Sequence, residues 1–536
     1  MPINELVLGI NVTKDAELLQ GQAEVHKTIF AYIDSLVLRS AVELRIADII
    51  YSHGQAMSLS QIALKIDSPS LDIMCLERIM RMLVRNKIFT AHCNEQPSGE
   101  TLTLYGLTTT SKWLLHDQEL SLAPTILTFT DLSITKPAYE ISRSIKEGGI
   151  PFVKAHGESI WEMASNHPEF NSMFNSGMAA ITRTVIDAVI KGYKDGFSKL
   201  EGSVVDIGGG TGKLVANIVK EYPHLKGINF DLPHVVENAP LHYGVTHVGG
   251  DMFKEIPSAN NIILKNVLHN WTDEDCLKIL KNCQKVVSEK KGKVIIVEVI
   301  LRPERHEMFD DTAIALDILM MTNTIRGKER TEDEWMKLMI DFLINVVELE
   351  GSLVDVGCGV ERLVANIVKT YPHIKGINFD VPHVVANAPL HPGVTHVGGD
   401  IFKEIPSAEN IIIKSVLHDW DDEDCLRILK NCQKAVSQKK GNKVIIVDIV
   451  LHPDGEGLFD DAAIALDMLM MTNCIGGKER TENQWNKLLK EAGFTHLNSP
   501  LYQLQCHCPL LRPFFTNQVL PNPPSLPPLS LFSIKS

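Results

Sequence analysis

The sequence predicts a mainly helical, winged-helix-like N-terminal domain followed by an α/β, doubly wound domain that is duplicated and, in its first copy, incomplete. Three observations predict this. The run GINFDLPHVVENAPLHYGVTHVGGDMFKEIPSANNIILKNVLHNW from Gly227 recurs almost unchanged from Gly376, at a constant shift of 149 residues. Repeat arrays have periods of about 20 to 50 residues, so a shift this long marks a duplicated domain. Within each copy, short β-branched runs alternate with helical stretches, the pattern of a mostly parallel sheet covered by helices. Residues before about 195 lack that alternation and read as helices.

The elements follow in order. SLSQIALKI, then LERIMRMLVRNKIFT, then TLTLYGLTTTSKWLL read as a helix, a longer helix and a β-rich wing. In the first copy SVVDIGG, KGINFD, THVGGD, NIILKNV and KVIIVEVI read as five strands, and CLKILKNCQKVV between the last two as an amphipathic helix. The first copy reaches GKERTEDEWMKLMI and passes directly into DFLINVVELEGSLVDVG, the start of the second. It is therefore expected to lack its closing strands and to leave a sheet edge open. The second copy runs on to EAGFTHLNSP, a sixth strand. The Pro- and Leu-rich tail beyond it shows no strand alternation and is expected to lack fixed structure. The expected boundaries are 1–195, 196–345 (unit 1), 346–500 (unit 2) and 501–536.

Composition narrows the function. Across 536 residues the chain is 44% hydrophobic and 22% charged, with a net charge of −14. Broad nucleic-acid binding, which needs concentrated Lys and Arg, is disfavoured, and with it a DNA-binding role for the wing. No apolar run approaches the roughly 18 residues of a membrane span, so no membrane partner is expected. The first residues show no basic stretch ahead of an apolar core, as a secretory leader would. Ten cysteines without a dense framework suit the reduced thiols of a cytoplasmic protein. Cys506, His507 and Cys508 have no second ligand pair at a workable spacing, and no metal is expected.

The phrase VVDIGGGTG places Asp206, Gly208, Gly210 and Gly212 at a strand-to-helix turn. Glycine suits positions where the backbone takes positive φ or a ligand approaches it, and the following helix offers free N–H groups. A dinucleotide loop would carry its last glycine one position later, where this chain has Lys213. Asp231 ends the second strand, where an acid can hold ribose hydroxyls. Asp251 ends the third, with Met252 and Phe253 able to flank a purine. Together these predict an adenosine cofactor without a pyrophosphate, best matched by S-adenosylmethionine. Unit 2 keeps the acids as Asp380 and Asp400, but its loop reads Gly357, Cys358, Gly359, Val360, Glu361. Glu361 would set a carboxylate against the carboxylate of the cofactor's amino-acid end, which predicts a weakened or lost site there.

The motifs EGGIPFVKAHG, FNSGM, VDIGGGTG, GINFDLPHV, GGDMF, HNW and GKERTE make the chain resemble plant cation-independent phenolic O-methyltransferases of the caffeate, flavonoid and benzylisoquinoline-alkaloid type. The resemblance runs from about residue 20 to 340 and again from about 350 to 497. It implies a helical dimerisation domain, hence a homodimer, and a Rossmann-like catalytic domain that uses S-adenosyl-L-methionine without a metal. The implied substrate is a small aromatic hydroxylated secondary metabolite. The implied general base is His269 of LHNW, flanked by Glu298 and Glu329; unit 2 offers His418, Asp448 and Glu479. The resemblance also places Lys265 near the cofactor's methionine part, and Phe174, Met178 and Met320 around the acceptor. Two positions depart from the family pattern: Asn270 where unit 2 has Asp419, and Arg326 where unit 2 has Gly476. The competing expectation is an impaired pseudoenzyme, or fused gene product, that only dimerises.

Overall fold

In a computed structural model, residues 16–95, 101–287, 292–304, 309–347, 349–357, 359, 363–436, 443–451, 467, 470–471, 474, 476–494, 496–503 and 529–535 are described. Glu361, Cys506, His507 and Cys508 lie outside them. The chain divides into two compact units, residues 1–140 with 161–184, and residues 141–160 with 185–536. Both methyltransferase-like copies therefore fall in the second.

In the first compact unit, Ala16–Glu43 is a 28-residue helix and Ile46–His53 follows it. A capping box between Ser58 and Gln61 starts Leu59–Ala63, and the Asp72 side chain caps Ile73–Arg85 by accepting from Cys75 N. Strands β1 (Met57–Ser58), β2 (Phe89–Glu95) and β3 (Thr101–Leu107) form an antiparallel wing in the order β1-β3-β2. Ile46, Ile50, Leu76, Met80 and Phe89 bury their side chains beneath the helices. The long first helix keeps Val25, Ile29, Phe30, Tyr32 and Leu36 exposed.

The first sheet of the second compact unit holds β4 (Ser203–Ile207), β5 (Lys226–Asp231), β6 (Val245–Gly249), β7 (Asn261–Lys265) and β8 (Val294–Val297), all parallel, in the order β6-β5-β4-β7-β8. Its five strands are those the sequence predicts. The second sheet repeats the order with β9 (Ser352–Val356), β10 (Lys375–Asp380), β11 (Val394–Gly398), β12 (Asn410–Lys414) and β13 (Lys443–Ile449). It then adds β15 (Leu529–Lys535) and β14 (His496–Gln503), both antiparallel. Burial on both faces explains the unbroken run VIIV that β8 and β13 share.

Two expectations are corrected here. The tail beyond residue 500 is not wholly without structure: Leu529–Lys535 pairs residue for residue with β13, from Lys443↔Lys535 to Ile449↔Leu529. The segment LSLFSIK is free of proline and supplies N–H groups to an edge that would otherwise be unpaired. The boundary drawn at 195 also falls too late. Ile186, Val189 and Tyr193 already pack with Val204, Leu214 and Ile263 against the first sheet, because the end of the Pro168–Gly192 helix covers that sheet's apolar face.

The junction between the copies is the Glu332–Val347 helix. Its Trp335, Leu338 and Met339 share one buried cluster with Ile279 and Leu280 of the first copy and with Leu353, Ile367 and Ile445 of the second. Strand β14 of the second copy lies beside β8, the edge of the first sheet, with no strand ladder between them among the described residues.

Candidate active site and cofactor cradle

The strands of a parallel sheet present their carboxyl ends to one side, and the site assembles there. After β4 the chain turns through Gly208, Gly210 and Gly212, with φ of 66°, 56° and 76°. A Cβ on Gly208 would stand 2.8 Å from Val267 Cγ2, whereas one on Gly210 would meet nothing within 4 Å. The first glycine is therefore needed for packing, and the second faces open space at the turn. Asp231 holds this turn: its Oδ2 accepts from Gly210 N at 2.8 Å and its Oδ1 from Leu232 N at 2.7 Å. Burial raises its carboxyl against those bonds.

Sequence reading missed the braces of the loop. Asn229, fully buried on β5, donates to Gly210 O at 2.9 Å and lies 3.0 Å from His247 Nδ1. His242 Nε2 lies 3.0 Å from Thr211 O. The available signal was an Asn and a His on otherwise apolar strands, repeated in both copies as GINFD and THVGGD. Asp251 forms its own turn by accepting from Phe253 N at 3.0 Å. Asn282 donates to both Met252 O and Phe253 O, and Phe253 meets Trp271 edge-on at 4.7 Å.

Asp206 lies beneath the turn with one carboxylate oxygen, Oδ2, buried and without a partner among the described residues. Burial pushes it up to about 7, against the pull of Lys265. Lys265 in turn is lowered by burial, and Asp206 and Glu298 oppose that. A cradle that leaves a glycine amide turn open, with an unsatisfied buried acid below it, fits a ligand that brings its own polar groups, as an aminoacyl-adenosine does.

Beyond β7 the backbone takes a left-handed step at Asn266 (φ 54°), and Leu268–Asn270 form one 3₁₀ turn carrying His269. Glu298, just past β8, locks that turn: its Oε1 accepts from Val267 N at 2.9 Å and Leu268 N at 2.7 Å. His269 Nδ1 stands 2.9 Å from Glu329 Oε1 and 3.8 Å from Glu298 Oε2. Burial lowers the imidazole's pKa, but the two carboxylates outweigh it, so His269 is held above its ordinary value. Burial raises Glu298, opposed by His269 and reinforced by Glu329. With Nδ1 committed to Glu329, Nε2 is the nitrogen left for a substrate proton.

Two further residues escaped sequence reading. Asp317, on the Asp310–Asn323 helix that carries Met320, accepts from Glu329 N at 2.9 Å. Arg330, fully buried, donates to Asp273 Oδ1, Leu268 O and Trp271 O and stacks 5.1 Å over Trp335. It ties the histidine turn to the start of the junction helix. The donor atoms of His269, Glu298 and Glu329 lie within 4.8 Å of one another, a spacing that also suits a cation.

Unit 2 reproduces the arrangement. Asp380 Oδ2 accepts from Gly359 N at 2.8 Å, Asp400 Oδ1 accepts from Phe402 N at 3.0 Å, and His418 Nδ1 stands 3.0 Å from Glu479 Oε1 and 3.6 Å from Asp448 Oδ1. Against burial, these acids push His418 up to about 9. The contacts beside the histidine's free nitrogen differ. Asp419 Oδ1 lies 3.7 Å from His418 Nε2, whereas the Asn270 amide donates to the carbonyls of Asn266 and Val267. The departure in unit 1 thus removes an acid from beside the free nitrogen. Arg326, exposed, takes φ 57° where Gly476 takes φ 83°.

Phe174 and Met178 belong to the first compact unit, where Phe174 stacks on Phe170 at 5.9 Å and meets Trp161 edge-on; Met320 belongs to the second and is buried.

A switch-point glycine turn with acids at successive strand ends and a buried His–Glu pair stand together at the candidate site of a doubly wound, methyltransferase-type fold. The description of the O-methyltransferase domain matches residues 139–342 and again 336–495, and that of the O-methyltransferase dimerisation domain matches 26–117. The chain is 48% identical to (R,S)-reticuline 7-O-methyltransferase of Papaver somniferum over 60% of its length and 92% of the relative's. It is 46% identical to desmethylxanthohumol 6'-O-methyltransferase of Humulus lupulus, over 60% and 93%. Among solved structures, LaPhzM is 28% identical with a TM-score of 0.51, covering 60% of this chain and 92% of that one. Human N-acetylserotonin methyltransferase, 19% identical with a TM-score of 0.53, shares the fold. The chain belongs to the plant S-adenosylmethionine-dependent O-methyltransferase family, and it carries a second match to the catalytic domain.

Proposed function

We propose that unit 1 transfers a methyl group to a hydroxyl of a small aromatic plant metabolite, phenolic, flavonoid or alkaloid, a reading supported by relatives named for reticuline and desmethylxanthohumol. The carrying observation is the 2.9 Å His269 Nδ1–Glu329 Oε1 pair beside an open glycine turn. S-Adenosylmethionine, when bound, supplies an electrophilic methyl group on a sulfonium. Gly208, Gly210 and Gly212 would give the cofactor its backbone approach, Asp231 and Asp251 its ribose and adenine contacts, and Lys265 its amino-acid end. Met252 and Phe253 would border the adenine. Met320 would border the flat acceptor.

A phenol near pKa 10 and an imidazole near 6.5 leave proton transfer uphill by about 5 kcal/mol. Glu329 and Glu298 narrow that gap by stabilising the imidazolium once His269 Nε2 takes the phenolic proton. What remains is an in-line displacement governed by positioning. The reaction as proposed needs no metal. Residues 1–140 would pair two copies into a homodimer, with exposed apolar side chains of the Ala16–Glu43 helix at the interface. No helix among the described residues is long and apolar enough to cross a membrane, and a cytoplasmic site of action fits this chemistry.

Glu361, which replaces the third loop glycine, favours a unit 2 that does not turn over, although its Asp419 keeps the family's acid beside His418 where unit 1 has Asn270. Labelled-methyl transfer to a panel of phenolic isoquinolines, chalcones and isoflavones tests both parts. His269→Gln in the full chain should lower turnover at least ~100-fold, and His418→Gln should leave it within about twofold. The reverse pattern would move the working site to unit 2.

A further inference from the structure

Glu329 is followed, after Arg330 and Thr331, by the Glu332–Val347 helix, and that helix answers to two patterns at once. Counted forward by 150 residues, Trp335, Leu338 and Met339 correspond to Trp485, Leu488 and Leu489, the buried face of the Glu482–Glu491 helix that closes unit 2. Counted back by 149 residues, Leu338 and Phe342 correspond to Val189 and Tyr193, the side chains that cover the first sheet ahead of β4. The two domain matches overlap over residues 336–342, inside this same helix.

The contacts follow both patterns. Toward unit 1, Trp335 Nε1 donates to Val299 O at 3.4 Å, one residue past Glu298, and Arg330 stacks on its ring. Toward unit 2, Tyr371 Oη donates to Asp341 O at 3.3 Å, as Tyr222 Oη donates to Lys194 O at 3.4 Å in unit 1. Trp335, Phe342, Leu353 and Ile367 are each 1% exposed or less and belong to a single cluster spanning both units. By contrast, Ile428, Leu429 and Trp485 form a separate core confined to unit 2.

We propose that unit 2 is a positioning module for unit 1: by burying the far half of the Glu332–Val347 helix, it fixes Glu329 against His269. Phe342 and Ile367 are then positioning residues that act on the catalytic pair through the helix. The second copy supplies, in cis, a closure that the first copy lacks, with β14 beside β8 at the edge of the first sheet. This inference rests on His269 and Glu329 being the working pair.

The test uses the full chain, with Ile367→Ala in the shared cluster and Ile428→Ala in the separate one, read by calorimetric unfolding and by the pH profile of kcat. The two units should melt in one transition, which S-adenosylhomocysteine raises as a whole and Ile367→Ala lowers. Ile367→Ala should also lower kcat about tenfold and move its acidic limb to lower pH, because a loosened Glu329 no longer supports the imidazolium. S-Adenosylhomocysteine affinity should stay within about twofold. Ile428→Ala should cost stability without moving the limb. If Ile367→Ala does not fold, Ile367→Val gives the same direction with a smaller loss. Two separate transitions with only one moved, or equal pH shifts in both variants, would overturn the proposal. If His269→Gln keeps full activity, the reading of the site fails instead, and the single transition still decides whether the units are coupled.

Discussion

Glu329 Oε1 stands 2.9 Å from His269 Nδ1 while Glu298, whose Oε2 is 3.8 Å from the same nitrogen, spends its other oxygen on the backbone of the histidine turn. The two acids divide the work: one orients the imidazole, the other builds the turn that carries it. Glu329→Gln would keep a hydrogen-bonding atom near Nδ1 but remove the charge. The expected result is a kcat lowered about 100-fold and an acidic limb moved to lower pH, since the group that outweighs burial has gone. Steady-state rates from pH 5 to 9 check it; an unmoved limb would rule out His269 as the titrating base.

Gly210→Ala probes the cradle without a packing clash. Its φ of 56° costs a Cβ-bearing residue about 1–2 kcal/mol, and the open space it faces is where the ligand is expected. Calorimetric titration with S-adenosylhomocysteine should show at least a tenfold loss of affinity and a Tm lower by a few degrees. Gly359→Ala in unit 2 should lower Tm similarly without changing the measured affinity.

Arg326 carries a side chain at φ 57°, a conformation that Gly476 occupies at φ 83°. Arg326→Gly should relieve strain by more than the added freedom of the unfolded chain costs, for a net gain of about 0.5–1 kcal/mol. Urea unfolding would read it as a higher midpoint at unchanged slope. Gly476→Arg should lose stability, because a Cβ there would lie 3.0 Å from Asp421 Cβ.

His418 supplies a pH signature of its own. Its folded pKa, about 9, lies above the ordinary value near 6.5. The stabilisation is therefore complete below about pH 6.5 and fades as pH rises through about 9, amounting to at most ~3 kcal/mol. Melting temperatures of the native chain should fall over that window, and His418→Gln should flatten the fall. A slope of opposite sign would refute the paired imidazolium.

The exposed apolar stripe of Ala16–Glu43 and the match to a dimerisation domain predict an assembly defect on polar substitution. Ile29→Glu with Phe30→Glu should convert a dimer to a monomer in sedimentation equilibrium. The monomer should keep its melting behaviour in residues 185–536.

Much of the site was legible beforehand because the chemistry is written in local spacing. A glycine turn after a strand, an acid ending the next strand, and a His on a turn repeated at a shift of 149 residues need no knowledge of distant contacts. The supports were not legible. Asp317 reaches Glu329 across 12 residues, and Asn229 reaches the glycine turn across 19. Nothing in either residue's own neighbourhood announces its partner. The tail misled for the same reason: Leu529–Lys535 is a strand only because β13 offers it an edge 86 residues earlier in the chain.

The sequence by itself determined the duplication and the mostly parallel sheet of each copy, since these depend on periodicity along the chain, and its motifs carry the resemblance that points to His269, Glu298 and Glu329. Only the tertiary structure decided that the two copies are joined through one core. A helix apolar on several sides satisfies two amphipathic patterns at once, and which sheet each side buries depends on surfaces that meet only when the chain has folded.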